Sequence, residues 1–321
     1  MDSGKPDHQQ FENQVLRYFG GITDKGFEQA FCIFCNLDQD RVQLFTKGSM
    51  IIVRCKCGFV YNAHQPTQAV LSEFYERSDA MTSWADIKSS DKEKQRQLEK
   101  FGDAVDFIAG QPLIESVLDL GCGNGVFLSL VKEKRPDIHL LGTDTSEPAL
   151  TVAKKNGVPT FQASISNVLS RSIAFDCITL WGVLEHVKAP ITVLKQVYHG
   201  LSDLGYIIVC VPNVGSEVVK ALWKECYTFT PPHLWYFDTN NLEDALIRTG
   251  FTLVKDYTIE PEALPLLRHS EGLKPYNLEP DWMSNRMVGA GIISQSILKK
   301  KRGYKIVAIA QKTTTPQGQV A

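Results

Sequence analysis

The sequence lacks any apolar run that approaches the roughly 20 residues of a membrane-spanning helix. Its first residues, Met1–Pro6, are polar and lack the apolar stretch of a secretory signal. These two absences predict a soluble, cytoplasmic protein with no membrane partner.

An excess of either charge is also missing. The 321 residues include 34 basic and 36 acidic side chains, for a net charge of −2, and the pI is near 6.4. Such a balance gives no global electrostatic reason to bind nucleic acid. The one clearly basic run, Lys299–Arg302, is more typical of a solvated helix end than of a binding site.

The length and a hydrophobic fraction of 43% are enough for a sizeable core and about two domains of roughly 150 residues each. The pattern along the chain predicts five regions. They are an N-terminal segment (1–29), a cysteine-rich module (30–66), a helical cap or linker (67–112), a main α/β domain (113–312) and a disordered tail (313–321). The sequence leaves the oligomeric state open.

Strand-like and helix-like patterns alternate after Pro112. The predicted strands are Ser116–Leu120, His139–Thr143, Pro159–Gln162, Phe175–Trp181, Tyr206–Val211, Phe251–Tyr257 and Tyr304–Ala310, and the predicted helices are Val126–Lys134, Glu147–Lys155, Ile191–Leu201 and Asn241–Thr249. This alternation predicts a doubly wound α/β fold with a seven-stranded, mostly parallel sheet. The long insertions Asn213–Asp238 and Glu260–Arg302 are expected to act as lids or substrate-binding elements.

The most informative stretch, Val117–Phe127, runs from a strand through three alternating glycines into a helix. Glycine lets the backbone turn sharply beside a ligand, and a helix N-terminus offers free N–H groups to an anionic group. The spacing Gly-x-Gly-x-Gly, with Asp119 two residues earlier, differs from the Gly-x-Gly-x-x-Gly of dinucleotide-binding loops. Asp144 ends the next predicted strand, where a carboxylate can accept hydrogen bonds from both ribose hydroxyls. An ordinary NAD loop, or a loop without ligand, is the alternative.

Four motifs in this order resemble the class I S-adenosylmethionine-dependent methyltransferases, which have a Rossmann-like fold. The motifs are Asp119–Gly125, Asp144–Ser146, Phe175-Asp176 and Trp181–Val187. The most similar branch contains ubiquinone-biosynthesis O-methyltransferases and enzymes that tailor sugars and natural products. The resemblance covers about residues 113–260 and the last strand.

The resemblance implies S-adenosylmethionine as the cofactor. The implied cofactor-binding residues are Asp119, Gly121, Gly123, Asn124, Asp144, Thr145, Ser164 and Trp181. The methionine half would lie at the glycine loop, the ribose on Asp144, the adenine near Thr145 and Ser164, and the methyl side against Trp181. Many family members carry an acidic residue at the position of Ser164.

Transfer of a methyl group to a hydroxyl or an acidic carbon requires positioning and a base, and histidine suits the second role. His186 follows the fourth predicted strand, at the edge where ligands of α/β sheets bind. His233 lies in Thr230–Phe237, where similar family members carry a Pro-x-His-x-x-x-Phe motif. Both are predicted catalytic residues, and the alternative is that each braces a loop. The aromatic run Trp235–Phe237 either walls an acceptor pocket or belongs to the core.

Four of the eight cysteines form two pairs, Cys32-x-x-Cys35 and Cys55-x-Cys57. Such pairs on turns between short strands suit a tetrahedral structural zinc site, which would hold together a module too small to fold alone. Methyltransferases of the resembled branch often carry an N-terminal zinc ribbon with a second Cys-x-x-Cys-Gly knuckle. Because this chain has one residue fewer there, a weakened site, His64 as a substitute ligand, or four free thiols remain alternatives.

The sequence thus predicts a zinc-ribbon-containing methyltransferase that acts on a hydroxyl or carbon of a small-molecule acceptor such as a sugar, quinone or natural-product intermediate. One alternative is an RNA base methyltransferase that uses the ribbon as a binding module. Against it stand the acidic pI and Leu184–His186 in place of an Asn-Pro-Pro-aromatic motif. Another alternative, a non-catalytic cofactor-binding protein, is disfavoured by the intact Asp119 and Asp144.

Residues 67–112 are expected to cap the acceptor pocket.

Overall fold

A computed structural model of the chain describes residues 8–36, 40–88, 91–171, 173–259 and 301–313. The α-helices in these ranges are α1 His8–Gly20, α2 Gln68–Arg77, α3 Asp79–Lys88, α4 Asp91–Ala109, α5 Val126–Lys134, α6 Glu147–Lys155, α7 Ile165–Leu169, α8 Pro190–Gly200, α9 Glu217–Leu222 and α10 Thr239–Arg248. The strands are β1 Phe27–Gln29, β2 Arg41–Lys47, β3 Met50–Cys55, β4 Val60–Asn62, β5 His64–Pro66, β6 Ser116–Leu120, β7 His139–Asp144, β8 Thr160–Gln162, β9 Phe175–Trp181, β10 Leu201–Pro212, β11 Trp235–Tyr236, β12 Phe251–Ile259 and β13 Lys305–Lys312.

The main sheet has seven strands in the order β12-β13-β10-β9-β6-β7-β8. The strands from β8 to β10 are parallel, and β13 is antiparallel to both of its neighbours. Every residue of β6 after Ser116 is buried, and so are the last five residues of β9, as expected for central strands of a parallel sheet. The predicted doubly wound α/β fold with a mostly parallel sheet is confirmed.

The parallel arrangement brings the carboxyl ends of β6, β7 and β9 to one edge. In the register of the sheet, Leu120 lies opposite Thr143 on one side and Leu180 on the other. The polar residues that follow these three strands therefore meet at a common edge, where ligands of α/β sheets bind.

The cysteine-rich module does not close its own sheet. Strands β2, β3 and β4 form an antiparallel sheet whose fourth strand, β11, comes from the insertion after β10. Trp235 pairs with Tyr61 in this register, and Phe59 packs against Trp235 and Phe237. The run Trp235–Phe237 is buried, so these aromatics belong to the core between module and main domain.

The helices before β6 pack on one another and on the main domain. Phe11, Val15 and Phe19 are the buried face of α1, which packs on α2 and α3. Helix α4 lies against α5 of the main domain. The N-terminal regions are thus part of the core of the molecule.

Most of the second insertion, 260–300, lies outside the described residues, and so does tail 314–321. In the described part of the basic run, Lys301 pairs with Asp256 at 2.7 Å and Arg302 pairs with Glu217 at 3.1 Å. These ion pairs reduce the positive charge that the run presents. No helix among the described residues combines the length and apolar character needed for a membrane span.

Candidate active site

The glycine-rich loop after β6 is held tightly against β7. The backbone N–H groups of Gly121 and Cys122 both donate to the carbonyl of Thr143, at 2.7 and 2.9 Å. Gly121 has a φ of +72°, and a Cβ there would lie 2.6 Å from Cγ2 of Val183. Any larger residue would therefore strain the backbone and clash, so the loop requires glycine at this position.

Asp144 closes the loop from the end of β7. Its Oδ2 accepts a hydrogen bond from the N–H of Gly123 at 2.9 Å, and its Oδ1 accepts one from the N–H of Ser146 at 2.8 Å. Burial raises the pKa of Asp144 even though these bonds act to lower it. The adjacent carbonyl of Thr145 accepts a hydrogen bond from Nε2 of Gln162 at 2.9 Å. The carboxylate predicted to bind ribose is therefore fixed at the sheet edge.

Asp119 is a second buried carboxyl on the cofactor side. It is 1% exposed, and Oγ1 of Thr179 donates to its Oδ1 at 2.6 Å. Burial raises the pKa of Asp119 to about 7, although the hydrogen bond from Thr179 and the charge of Lys100 lower it. A positively charged ligand group would stabilise the ionised form.

Asn124 links the glycine loop to the helical cap. Its Nδ2 donates to the carbonyl of Lys88 at 3.0 Å, and Nε2 of Gln97 donates to the same carbonyl at 3.0 Å. The end of α3 is therefore attached to the glycine loop, so the region 67–112, predicted to cap the acceptor pocket, also contacts the residues predicted to bind the cofactor.

Ser164 and Trp181 make contacts of a structural kind. Ser164 is exposed, and its Oγ caps α7 by accepting a hydrogen bond from the N–H of Asn167 at 3.3 Å. Trp181 is 8% exposed and packs on Phe101 and Phe127, with ring centroids 4.8 and 5.0 Å apart. Their contacts with adenine and with the methyl side stay predictions.

The two candidate catalytic histidines are neighbours, with ring centroids 4.6 Å apart. Nδ1 of His186 lies 2.9 Å from the carbonyl of Pro232, and Nδ1 of His233 lies 2.7 Å from the carbonyl of Thr228. A carbonyl oxygen can only accept a hydrogen bond, so each Nδ1 carries the proton in the neutral ring. Nε2 of each histidine is then the proton acceptor.

Glu185 completes this group, although the sequence analysis assigned it no role. It is 2% exposed, and its Oε1 lies 3.9 Å from Nε2 of His186. Its Oε2 is buried without a hydrogen-bond partner among the described residues. Burial raises the pKa of Glu185, and His186 acts to lower it. The signal in the sequence was an acid next to His186, in the segment that follows β9.

Tyr75 of α2 also reaches the histidine pair. Its hydroxyl oxygen lies 2.7 Å from Nδ1 of His186. No sequence signal pointed to this residue, because 111 positions separate it from His186 and only the tertiary fold joins them.

The four clustered cysteines form a compact group, with the sulfur atoms of Cys32, Cys35, Cys55 and Cys57 all within 4.8 Å of one another. Gly58 has a φ of +92°, and its N–H donates to the carbonyl of Cys55 at 2.8 Å, which accommodates the short second knuckle. His64 is not a member of this group. Its Nδ1 lies 2.8 Å from the carbonyl of Ser49, so the alternative of a substitute histidine ligand is wrong. Four thiol groups this close together fit a structural zinc ion, which takes four ligands.

The comparison with known families agrees with this geometry. The model of a family described as "Methyltransferase domain" matches residues 92–256, just over half of the chain. The chain belongs to this methyltransferase family. Tyr75 and the four cysteines lie before the matched residues.

Named relatives of this chain differ in the acceptors that their names indicate. Trans-aconitate 2-methyltransferase of Acidovorax sp. (strain JS42) is 32% identical over 126 residues, which are 38% of this chain and 48% of the relative. The tRNA U34 carboxymethyltransferase of Sulfurovum sp. (strain NBC37-1) is 25% identical over 168 residues, 50% of this chain and 56% of the relative. The chain thus spans about half the length of the curated relatives it matches.

Solved structures share the fold of this chain. The plantazolicin methyltransferase BpumL, in complex with a pentazolic desmethylPZN analog and SAH, superposes with a TM-score of 0.50 at 19% identity and covers 76% of this chain and 95% of its own. A second likeness is to a structure from a complex of the Haloferax volcanii Trm112 methyltransferase activator with a methyltransferase. It has a TM-score of 0.51 at 13% identity and covers 77% of this chain and 98% of its own. Both likenesses support the class I methyltransferase fold.

Proposed function

We propose that this methyltransferase uses S-adenosylmethionine to methylate a hydroxyl or carbon of a small-molecule acceptor, such as a sugar, quinone or natural-product intermediate. One observation carries the proposal. One ligand atom from each of Glu185, His186 and His233 lies within 4.8 Å of the others, at the same sheet edge as the glycine loop. A proton acceptor and a cofactor loop at one edge are what methyl transfer to a proton-bearing acceptor requires.

The cofactor residues fit the chemistry of S-adenosylmethionine, which supplies an electrophilic methyl group when bound. Asp144 would accept hydrogen bonds from the ribose hydroxyls, and the N–H groups of the glycine loop would face the methionine half. Asp119 is buried with a raised pKa, so a cationic cofactor would complement it better than the anionic pyrophosphate of NAD.

On the acceptor side, Nε2 of His186 or His233 would remove the proton from the reacting hydroxyl or carbon. Glu185 lies 3.9 Å from Nε2 of His186 and would stabilise the imidazolium that forms. Holding the acceptor atom in line with the methyl group of the cofactor would lower the activation free energy of transfer further.

The buried Glu185 also bears on the class of acceptor. A carboxylate-rich acceptor, as the name of the Acidovorax relative indicates for that enzyme, would bring like charge to this acid. A neutral acceptor avoids that repulsion. Glu185 therefore favours a hydroxyl-bearing or carbon-acid small molecule over a polycarboxylate.

An RNA acceptor is the second candidate, and the names of the tRNA-modifying relatives favour it. The balanced net charge of −2 and the paired Lys301 and Arg302 favour the small molecule, since RNA binding is supported by unpaired basic patches.

The first test is calorimetric titration with S-adenosylmethionine and, separately, with NADH. We expect micromolar binding of the first and none of the second, and the reverse would refute the proposed cofactor. Labelled methyl transfer in cell extract then separates the acceptor classes. Label in the small-molecule fraction supports the proposal, whereas label retained on RNA favours the second candidate.

We also propose that the four cysteines hold a structural zinc ion. Metal analysis of the purified protein should give about one zinc per chain, as expected for a four-thiolate site. The Cys32→Ser variant should lose the metal, and the Cys177→Ala variant, changed in the main sheet, should keep it. Zinc-free wild-type protein, or zinc retained in Cys32→Ser, would contradict this assignment.

A further inference from the structure

Tyr75 reaches the histidine pair from outside the family-matched residues 92–256. It lies on α2, which Thr67 caps by accepting a hydrogen bond from the N–H of Val70. The preceding residue, Phe74, is 1% exposed and packs on Phe19 and Tyr18 with centroids 5.0 and 5.2 Å apart. The helix is thus anchored, and the position of the Tyr75 ring is set by this packing.

Two oxygens approach the same nitrogen of His186. The carbonyl of Pro232 lies 2.9 Å from Nδ1, and the hydroxyl oxygen of Tyr75 lies 2.7 Å from it. The carbonyl must accept, so Nδ1 donates and its proton is shared between both oxygens. The rings of Tyr75 and His186 also meet edge to face, with centroids 5.8 Å apart and an interplanar angle of 83°.

The surroundings of Tyr75 keep its hydroxyl neutral. Burial raises its pKa well above the ordinary value, and the charges of Glu185 and Asp144 raise it further. Both the ribose carboxylate and the acid of the histidine group therefore act on this one phenol.

We propose that Tyr75 is a positioning residue of the methyl-transfer site, whose hydroxyl holds His186 with Nδ1 protonated and Nε2 free to accept a proton. The inference rests on the proposed function, because that reaction is what requires a base here. It adds a residue of the N-terminal cap to a site whose remaining parts belong to the methyltransferase domain.

The test is the tautomeric state of His186 in the full-length protein, which requires no acceptor. Histidine labelled with nitrogen-15 reports which ring nitrogen carries the proton, and a His186→Gln sample assigns the signal. The Tyr75→Phe variant keeps the ring and its packing but removes the hydroxyl. Tyr18→Phe is the matched control, since Tyr18 belongs to the same aromatic cluster and its hydroxyl donates to the carbonyl of Val70 at 3.4 Å.

We expect His186 of the wild type to be protonated at Nδ1. In Tyr75→Phe the ratio of the Nδ1–H form to the Nε2–H form should fall about fivefold, the factor that one ordinary hydrogen bond contributes. Tyr18→Phe should leave the ratio unchanged. An unchanged ratio in Tyr75→Phe, an equal change in the control, or a wild-type His186 protonated at Nε2 would each overturn the inference.

Calorimetry with S-adenosylhomocysteine on the same samples separates this inference from the proposed function. We expect equal affinity for S-adenosylhomocysteine in the wild type and both variants. A lower affinity in Tyr75→Phe alone would show that Tyr75 does more than hold His186, and would overturn the inference. Failure of the wild-type protein to bind this probe would count against the proposed function. The tautomer ratio would still decide whether Tyr75 holds His186.

Discussion

The proposed cofactor side and the proposed acceptor side of the site are built in different ways. The cofactor side comes from one continuous stretch, residues 117–146, in which Asp144 accepts a hydrogen bond from Gly123 at 2.9 Å. The acceptor side joins Tyr75 of α2, Glu185 and His186 after β9, and the loop that carries His233. One half is thus a local motif, whereas the other depends on contacts between distant segments.

The cysteine-rich module supports the acceptor side in particular. The N–H of Asn62 donates to the carbonyl of Leu234 at 3.0 Å, and the N–H of Leu234 donates to the carbonyl of Glu185 at 2.8 Å. Nε2 of Gln65 donates to the same Leu234 carbonyl at 3.3 Å. The segment next to His233 is therefore held between the module and Glu185. Changes in the two halves should separate turnover from cofactor affinity.

The largest effect is expected for His233→Gln, on the acceptor side. Turnover should fall about 100-fold, since general base catalysis commonly contributes that much, while affinity for S-adenosylmethionine stays unchanged. Steady-state kinetics and calorimetry check the two quantities. His199→Gln, on the exposed face of α8, is the control. Unaltered turnover in His233→Gln would make His233 a structural residue.

On the cofactor side, Asp144→Ala should weaken S-adenosylmethionine binding about tenfold or more. The change leaves two ribose hydroxyls unpaired and removes the acceptor for the N–H of Gly123. Calorimetric affinity is the measurement. Asp137→Ala, which removes an exposed acid paired with Arg135, should bind as the wild type does. Equal affinity in the two variants would refute the ribose assignment.

Cofactor affinity should also depend on pH through Asp119. Its pKa is raised by burial to about 7, and a cationic cofactor favours the ionised carboxylate, so affinity should rise with pH. The ionised fraction of such a group increases about tenfold between pH 6 and pH 8, and the affinity should follow. Titration at both pH values tests this. A dependence of the same size in Asp119→Asn would assign the effect to another group.

The smallest effect is expected for Gln65→Ala, which removes the hydrogen bond to the carbonyl of Leu234 and the one that Oε1 of Gln65 accepts from Nζ of Lys188. Turnover should fall about fivefold, as expected for loss of the bond to Leu234, without a change in cofactor affinity. Gln68→Ala, on the exposed surface of α2, is the control. A change in cofactor affinity rather than turnover would show that the module does not act on the acceptor side alone.

Elements governed by local chemistry were predicted closely. The bounds of α5 and α6 agree with the sequence prediction, because Gly125 and Ser146 at their N-termini are start signals that the sequence displays. Strand β10 was predicted too short. It begins at Leu201 rather than Tyr206, and Leu204 within it has a φ of +62°, which the apolar pattern does not reveal.

The sequence by itself determined the α/β class, the glycine loop with its two carboxyls and the cysteine pairs, because each depends on residues close together in the chain. Only the tertiary structure decided that β11 completes the sheet of the module, that His186 and His233 are neighbours, and that Tyr75 joins them. Those contacts follow from packing and strand pairing between segments far apart in the chain. His186 and Pro232 are separated by more than 40 residues, and Tyr75 and His186 by 111. Side-chain periodicity specifies which face of an element is buried but not which distant element covers it.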